Sequence, residues 1–440
     1  MSDKNTTFVQ WFRSAAPYIH AHRGKIFVVQ MGGEVISSEG FQHLIHDVAL
    51  LNSLGVRLVI VSGARSQIDT LLHERDIQSA YVRDMRVTDE AALSCVKEAA
   101  GSVRIKIESL LSMGLPNSPM ADACIKVASG NFVTAKPAGI VDGVDLQYTG
   151  QIRGVDSSSI KTRLDNGDIV LLPSLGYSPT GEIFNLSSID LATQCAIELS
   201  ADKLLFVVNE PELKDDKGNM ICQITQAEAE ILVADEGKLN ERPRRYLGAG
   251  ILACQKGVKR IHYIDQGIDG VLLQELFSRD GIGTLLSTSS FDAIRPARIK
   301  DIGGILELIS PLEERGVLVR RSREKMETEI NDYTVLTRDD SVIACAALHT
   351  YTDEKVAELA CLVVHSDYEK NARGRELYYR VENEAIAKNI TRLFVLTTHA
   401  SHWFLEQGFI EASVEELPIG EKELYNYQRN SKVLIKEIGN

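Results

Sequence analysis

The feature that most constrains the fold is a series of short, almost wholly apolar segments in the first two thirds of the chain. Runs of this kind, without polar alternation, are typical of strands buried on both faces of a parallel sheet. Between them, apolar residues recur at helical spacing, as from Phe41 to Leu54. The sequence therefore predicts an α/β domain with an open, mainly parallel sheet sandwiched by helices. Its strands are expected at Ile26–Met31, Arg57–Ser62, Asp168–Pro173, Lys203–Val208 and Lys259–Ile264.

The pattern changes after residue 286, where a run of small polar residues interrupts it. We predict a first domain over residues 1–286, a linker over 287–294 and a second domain over 295–440. In the second domain strand-like runs follow one another with fewer helices between them, which predicts an α+β domain built on an antiparallel meander. Its expected strands include Tyr333–Arg338, Val342–Leu348, Val356–Val364 and Arg392–Thr397.

Composition narrows the class of protein. The chain has 440 residues, of which 44% are hydrophobic and 25% charged, as in globular proteins. Its formal net charge of −13 argues against a nucleic-acid binder. The polar N-terminus resembles no signal peptide, and no apolar run is long enough to span a membrane. We therefore expect a cytoplasmic protein, and the seven scattered cysteines predict no metal site.

Two segments could bind anions. The first strand runs into Gly32-Gly33, a turn able to close around a phosphate, but Gln30 stands where a phosphate site usually has a cation. A tight turn without a ligand explains the glycine pair equally well. The second segment, residues 365–375, leads from a strand into a helix and brings basic side chains to the free N–H groups of the helix start. It could equally be a solvated turn.

The second domain resembles the GNAT superfamily of N-acetyltransferases, which bind acetyl-CoA. The resemblance rests on the order of elements, the Leu-Val-Val strand before residue 365 and Trp403-Phe-Leu-Glu-Gln-Gly-Phe409. It implies acetyl-CoA as co-substrate, with no permanently bound cofactor. The strand edge at Cys361 and Val363 would pair with the pantetheine arm. Residues implied at the pyrophosphate are Lys370, Ala372, Arg373 and Gly374, where Ala372 replaces the family's first glycine and Glu369 its basic residue.

Acetylation of an amine requires a base, because the amine is protonated at neutral pH. Glu358, on the strand that precedes the cofactor-binding stretch, is the candidate base. The alternative is an ordinary solvent-facing carboxylate. The family often has a tyrosine as general acid, but the matching position is Phe404, so we assign no acid.

Two clusters, Val319–Glu324 and Tyr425–Ser431, carry guanidinium groups that could bind two carboxylates. They indicate a dicarboxylic amino acid as acceptor, although surface turns often have this composition. The whole chain also resembles the bacterial N-acetylglutamate synthase family, in which an amino-acid-kinase-like domain precedes a GNAT domain. The most specific stretches are Arg320–Glu324, Glu358–Leu362, Glu275–Thr284 and Tyr427–Ser431.

This resemblance implies acetylation of L-glutamate, the first step of arginine biosynthesis, by a homo-oligomer expected to be a hexamer. By the same resemblance, Val319 and Arg321 bind the α-carboxylate of glutamate. Arg429 and Ser431 bind its side-chain carboxylate, and the Cys361 carbonyl orients the amine.

The first domain is similar to N-acetylglutamate kinase but departs from it at two charged positions. The kinase ends its first strand in Lys-x-Gly-Gly, which is Gln30-Met-Gly-Gly33 here. Its Asn-x-Asn-Ala-Asp motif is matched by Asn185–Ile189, so an aspartate has become Ile189. Phosphoryl transfer depends on electrostatic positioning, so these changes predict a catalytically dead domain.

The arginine-inhibited kinases of this family bind arginine through an N-terminal helix with Pro-Tyr-Ile and a C-terminal His, Glu and Gly. The same residue types occur here in the same order, as Tyr18 within Pro17–Ile19 and then His262, Glu275 and Gly281. The resemblance implies that the first domain binds L-arginine as a feedback inhibitor. Two alternatives stay open: an active or bifunctional N-acetylglutamate kinase, and a non-catalytic arginine-sensing protein.

Overall fold

A computed structural model of the protein describes residues 2–114, 118, 120–209, 213–214, 218–235, 237–278, 280–288, 292–338, 341–368, 373–424 and 431–439. The chain divides into two compact units, Met1–Ser289 and Ser290–Asn440. The first strand of the second unit begins at Asp292, so residues 292–294 of the predicted linker belong to that strand.

The first unit alternates helices and strands along most of its length. Its helices are α1 (Ser2–His22), α2 (Gly33–Ser37), α3 (Phe41–Ser53), α4 (Arg65–Glu74), α5 (Glu90–Leu111), α6 (Ser157–Asp165), α7 (Ser188–Leu199), α8 (Gln226–Ala234), α9 (Glu241–Gln255) and α10 (Val271–Phe277). Its strands are β1 (Ile26–Met31), β2 (Arg57–Ser62), β3 (Tyr81–Val82), β4 (Met85–Arg86), β5 (Val127–Ala128), β6 (Val133–Pro137), β7 (Ile140–Val141), β8 (Val144–Asp145), β9 (Gly150–Val155), β10 (Ile169–Pro173), β11 (Leu175–Tyr177), β12 (Ile183–Asn185), β13 (Lys203–Val208), β14 (Gln223–Thr225), β15 (Arg260–Asp265) and β16 (Thr284–Ser287).

The central sheet has the strand order β14-β16-β15-β13-β1-β2-β10-β5. Its pairs are parallel except β15 with β16, which run antiparallel. All six residues of β1 and of β13 are buried, because helices cover both faces of the sheet. Helices α3, α4, α5 and α10 contribute to the core on one face, and α6, α7, α8 and α9 to the core on the other. The predicted mainly parallel sheet sandwiched by helices is confirmed.

The second unit is built around one mixed sheet. Its helices are α11 (Ile302–Glu314), α12 (Arg323–Glu329), α13 (Arg373–Ala387), α14 (Ser401–Glu406) and α15 (Ile419–Leu424). Its strands are β17 (Asp292–Pro296), β18 (Tyr333–Arg338), β19 (Ser341–Tyr351), β20 (Val356–Val364), β21 (Arg392–Thr397), β22 (Ile410–Ala412) and β23 (Lys432–Glu437). The sheet order is β17-β18-β19-β20-β21-β23-β22.

The expected antiparallel meander is interrupted at one place. Strands β20 and β21 pair in parallel, because α13 lies between them in the chain and returns it to the same end of the sheet. The α13 side of the sheet packs one apolar core, and the side facing α11 and α12 packs another. The predicted α+β class is confirmed, with a mixed rather than a purely antiparallel sheet.

A β-bulge in β20 decides which side chains share a face. The register between β19 and β20 shifts between Cys345 and Ala347, and Cys361 has a left-handed φ of 50°. An extra residue in one strand reverses the alternation of side chains beyond it. Before the bulge, even-numbered residues such as Glu358 point to the α11 side. After the bulge, the odd-numbered Cys361 and Val363 point to that side and belong to the apolar core that faces α11 and α12.

Candidate functional site

The bulge gathers predicted active-site residues on one face of the second unit. Glu358 lies opposite His349 of β19 and opposite Phe394 of β21. Cys361 is buried three residues further on, and its carbonyl oxygen accepts a hydrogen bond from the Cys345 thiol at 3.6 Å. Pairing between β20 and β21 ends at Glu358 and Phe394, so the two strands separate beside the bulge.

The Glu358 carboxyl has an altered acidity. Burial and the neighbouring Glu421 carboxylate raise its pKa to about 7, although Arg321 and Lys325 oppose the shift. A carboxyl with this pKa exchanges its proton near neutral pH, as a general base must.

Arg321 reaches this face from the loop between α11 and α12. Its backbone N–H donates to Glu313 Oε1 at 2.9 Å, and its guanidinium donates to the Val319 carbonyl at 3.2 Å. Burial opposes its charge, but the thiol of Cys361, the phenol of Tyr333 and the carboxyl of Glu358 raise the Arg321 pKa. The structure thus brings four of the predicted residues together: Val319, Arg321, Glu358 and Cys361.

The other predicted residues of this unit are placed differently. Ser431 is buried directly before β23, whereas Arg429 lies outside the described residues. Lys370 and Ala372 also lie outside them. Arg373 begins α13, but its guanidinium is buried, pairs with Asp292 at 3.0 Å and stacks over the Tyr368 ring. Gly374 follows it, and a Cβ there would lie 3.2 Å from a Val364 methyl.

Three of the four residues predicted to bind arginine, His262, Glu275 and Gly281, meet in the first unit, and Tyr18 lies on the helix that contacts α10. His262 on β15 and Glu275 on α10 are buried and joined by a 2.5 Å contact between Nδ1 and Oε1. A Cβ on Gly281 would lie 2.5 Å from the second Glu275 oxygen. Tyr18 packs beside His22 on α1, and His22 Nε2 donates to the Leu276 carbonyl at 2.7 Å. The end of α1 therefore contacts the helix that carries Glu275.

A chain of polar contacts links the ionisable groups of this cluster. The Lys203 ammonium, itself buried, lies 3.2 Å from His262 Nε2. Burial and this ammonium lower the pKa of His262, which favours the neutral ring with Nε2 facing the ammonium and Nδ1 facing Glu275. Glu275 also accepts from the amides of Ile282 and Gly283 at 2.7 and 2.8 Å. These donors outweigh burial and lower the pKa of Glu275.

The loop after β1 borders a cavity of about 470 Å³ in the first unit. Gln30 is fully buried, and its amide group donates to Ser188 Oγ at 3.1 Å. Ile189, where the related kinases have an aspartate, also lines the cavity. The Glu34 carboxylate lies 2.6 Å from a Cβ built on Gly32 and forms an ion pair with Arg242. A negative side chain therefore lies against the glycine turn.

Sequence reasoning missed several residues that shape the two sites. In the sequence alone, Lys203 is the polar first residue of an apolar strand, and His22 is the last residue of a surface helix. Tyr333 and Glu421 belong to none of the predicted motifs, and only the fold brings them to Cys361 and Glu358. No periodic pattern marks these residues, since each contact joins separate elements.

Comparisons with known proteins agree with this architecture. Residues 25–262 match the amino acid kinase family, and residues 305–409 match the acetyltransferase (GNAT) family. An amino-acid acetyltransferase of Yersinia enterocolitica is 48% identical over 441 residues, and the alignment covers 100% of both chains. The chain belongs to the amino-acid acetyltransferase family. A Yersinia pseudotuberculosis member of this family is 47% identical over the same length.

Two crystal structures are also similar over nearly the whole chain. N-acetylglutamate synthase from Neisseria gonorrhoeae, complexed with coenzyme A and L-arginine, is 35% identical, with a TM-score of 0.87 over 98% of this chain and 100% of that one. The same enzyme complexed with coenzyme A and N-acetyl-glutamate gives a TM-score of 0.62 over the same coverage. The chain is thus an acetyltransferase with an amino-acid-kinase-like first unit.

Two features are absent from the described residues. No group of three or more His, Cys, Asp or Glu side chains there is placed to hold a metal ion. Within the same residues, no helix has the length and apolar character needed to cross a membrane.

Proposed function

We propose that this acetyltransferase transfers the acetyl group of acetyl-CoA to the α-amine of L-glutamate, and that L-arginine inhibits it through the first unit. The observation that carries the proposal is the position of Glu358, which shares one face with Arg321 and Cys361 where β20 and β21 separate. From its resemblance to the bacterial N-acetylglutamate synthase family, we also propose that the protein is a cytoplasmic hexamer that acts in arginine biosynthesis.

The separation of the strands supports binding of acetyl-CoA. Beyond the pair of Glu358 and Phe394, the edge of β20 that would face β21 runs free of that strand. Backbone groups near Cys361 and Val363 can therefore pair with the amides of the pantetheine arm, as one strand pairs with another. This places the thioester next to Glu358. The pyrophosphate would lie at the start of α13, near Gly374, with Lys370 and Ala372 expected in the preceding loop. Arg373, whose guanidinium pairs with Asp292, is proposed at the same place as a cation near the pyrophosphate.

Glu358 supplies the base in the reaction. It accepts a proton from the ammonium group of glutamate, directly or through water, and the neutral amine then attacks the thioester carbonyl. The new C–N bond forms as the C–S bond breaks and coenzyme A leaves as its thiolate. The nitrogen then loses its second proton to water or to that thiolate, which leaves the neutral amide. Holding both reactants on one face lowers the entropic cost of this bimolecular step.

Recognition of glutamate is assigned to cations on the same face. Arg321 and the backbone at Val319 bind the α-carboxylate, while the Cys361 carbonyl orients the amine. Arg429 and Ser431 are expected to bind the side-chain carboxylate. The bulge supports the role of Cys361, since its left-handed backbone turns the carbonyl out of the regular ladder.

The first unit is proposed as a sensor without kinase activity. Gln30 and Ile189 lack the charges on which phosphoryl transfer depends. The Glu34 carboxylate, ion-paired with Arg242, lies against the glycine turn and offers no cation to a phosphate there. The meeting of His262, Glu275 and Gly281, with Tyr18 on the adjacent helix α1, supports an arginine site, because the Glu275 carboxylate can pair with a guanidinium.

A free-thiol assay tests the proposal. Acetyl-CoA is supplied with glutamate, aspartate, ornithine or no acceptor, each with and without arginine. We expect thiol release that depends on glutamate and falls when arginine is added. Release without glutamate dependence would contradict the proposed acceptor.

The two alternatives give different results. An active or bifunctional kinase would phosphorylate N-acetylglutamate with ATP above background. A non-catalytic sensor would bind arginine in calorimetry and release no thiol under any condition.

A further inference from the structure

Glu421, on the short helix α15, was not predicted from the sequence. Its Oε2 accepts a hydrogen bond of 2.8 Å from the Tyr351 hydroxyl, at the end of β19. The backbone N–H of Ile419 donates to Glu354 Oε1 at 3.3 Å. Two hydrogen bonds therefore hold the first turn of α15 against the connection between β19 and β20.

The geometry of the strands places α15 near Glu358. Tyr351 follows His349 by two residues, and His349 lies directly opposite Glu358. Residues two apart in a strand, and residues directly opposite in neighbouring strands, share a face of the sheet. The Tyr351 ring also packs on Phe394, the partner of Glu358 on its other side, with ring centroids 6.0 Å apart. The hydrogen bond from Tyr351 thus holds the Glu421 carboxylate on the face that carries Glu358.

We propose that Glu421, held by the Tyr351 hydroxyl, is a positioning residue whose negative charge sets the pH range in which Glu358 acts as a base. The inference rests on the proposed function, because it assigns Glu358 that role. A carboxylate near Glu358 disfavours its ionised form and so makes it a stronger base toward the ammonium group of the acceptor.

The other charges around Glu358 come from three elements. Arg321 reaches it from the loop before α12, and Lys325 and Glu329 lie on α12. His349, on β19, has its Nδ1 atom 3.3 Å from Oδ2 of Asp332. Glu421 has the largest effect of these charged neighbours on the Glu358 pKa, after burial itself.

The test is Glu421→Gln in the full chain. The glutamine keeps an oxygen that can accept the Tyr351 hydrogen bond but removes the charge. Without that charge Glu358 ionises at lower pH. The acid limb of the pH profile of kcat/KM should then move down by roughly one pH unit, the order expected of one nearby charge.

Glu415→Gln is the matched control. Glu415 lies in the turn before α15, and its side chain is 91% exposed. This variant removes the same charge from the same segment but should leave the profile in place. Tyr351→Phe keeps the ring on Phe394 and frees the Glu421 carboxylate, so it should move the limb in the same direction by a smaller amount.

A direct titration separates this inference from the proposed function. Glutamate side chains labelled with ¹³C at the carboxyl carbon are titrated by NMR, and the Glu358 signal is assigned by its loss in Glu358→Gln. Its midpoint should fall in Glu421→Gln even if the wild-type protein released no thiol. A midpoint unchanged in Glu421→Gln, or shifted equally in Glu415→Gln, would overturn the inference.

Discussion

At the scale of single residues, the acidity of Glu358 leads to a test of its role. Its pKa is about 7, because burial and Glu421 disfavour the carboxylate. A base must be deprotonated to work, so kcat/KM should be constant above this pKa and fall about tenfold per pH unit below it. Glu358→Gln should lower kcat by roughly 10² to 10⁴, the range of general-base contributions.

The pH profile measured by thiol release checks this prediction. The exposed Glu406 on α14 supplies a control, since Glu406→Gln should leave both rate and profile unchanged. A Glu358→Gln enzyme with nearly normal kcat would mean that another group takes the proton.

Arg321 gives a second test at the residue scale, because its shape and its charge can be removed separately. Arg321→Lys keeps the charge but loses the fork that matches a carboxylate. It should raise the KM for glutamate while leaving that for acetyl-CoA unchanged. Arg321→Met also removes a cation that favours the Glu358 carboxylate, so it should move the acid limb to higher pH. The exposed neighbour Arg320 is the control, and equal effects of Arg320→Lys would contradict the assignment.

At the scale of elements, the bulge in β20 sets the geometry of the candidate active site. Cys361 has a positive φ, which costs a branched residue more than a small one. Cys361→Val should lower the free energy of unfolding by roughly 1 to 3 kcal/mol and raise the KM for acetyl-CoA. Cys361→Gly adopts this backbone readily and should keep the KM. Thermal unfolding and initial rates measure both effects, and a valine variant with normal KM would show that the bulge does not shape the cofactor edge.

The same element shows what the sequence could and could not predict. The bounds of β1, β18, β20 and β21 follow from apolar runs, and the structure confirms them residue for residue. Simple alternation, however, places Glu358 and Cys361 on opposite faces. Only the bulge puts them together, and it depends on the pairing with β19. Likewise, motif order indicated His262 and Glu275, but Lys203 joins them only through the pairing of β13 with β15.

At the scale of the whole molecule, we expect one substitution to separate the proposed arginine sensing from acetyl transfer. Glu275 accepts from His262 and from two backbone amides, and its negative charge is suited to a guanidinium. Glu275→Gln should keep glutamate-dependent thiol release and lose inhibition by arginine. Parallel assays with increasing arginine check this, with Glu228→Gln on α8 as a control in the same unit. Unchanged inhibition would remove Glu275 from the arginine site.

Coupling between the two ligands must also be reciprocal. Arginine bound to the first unit can inhibit the reaction of the second only if it binds one state of the protein more tightly than another. If it weakens glutamate binding by some factor, glutamate must weaken arginine binding by the same factor, typically about 5 to 150. Calorimetry of arginine binding, with and without saturating glutamate and coenzyme A, measures that factor directly. In Glu275→Gln arginine binding should be lost while the affinity for glutamate stays normal. Inhibition of the wild-type protein with no change in either affinity would show that arginine acts on the chemical step and not on substrate binding.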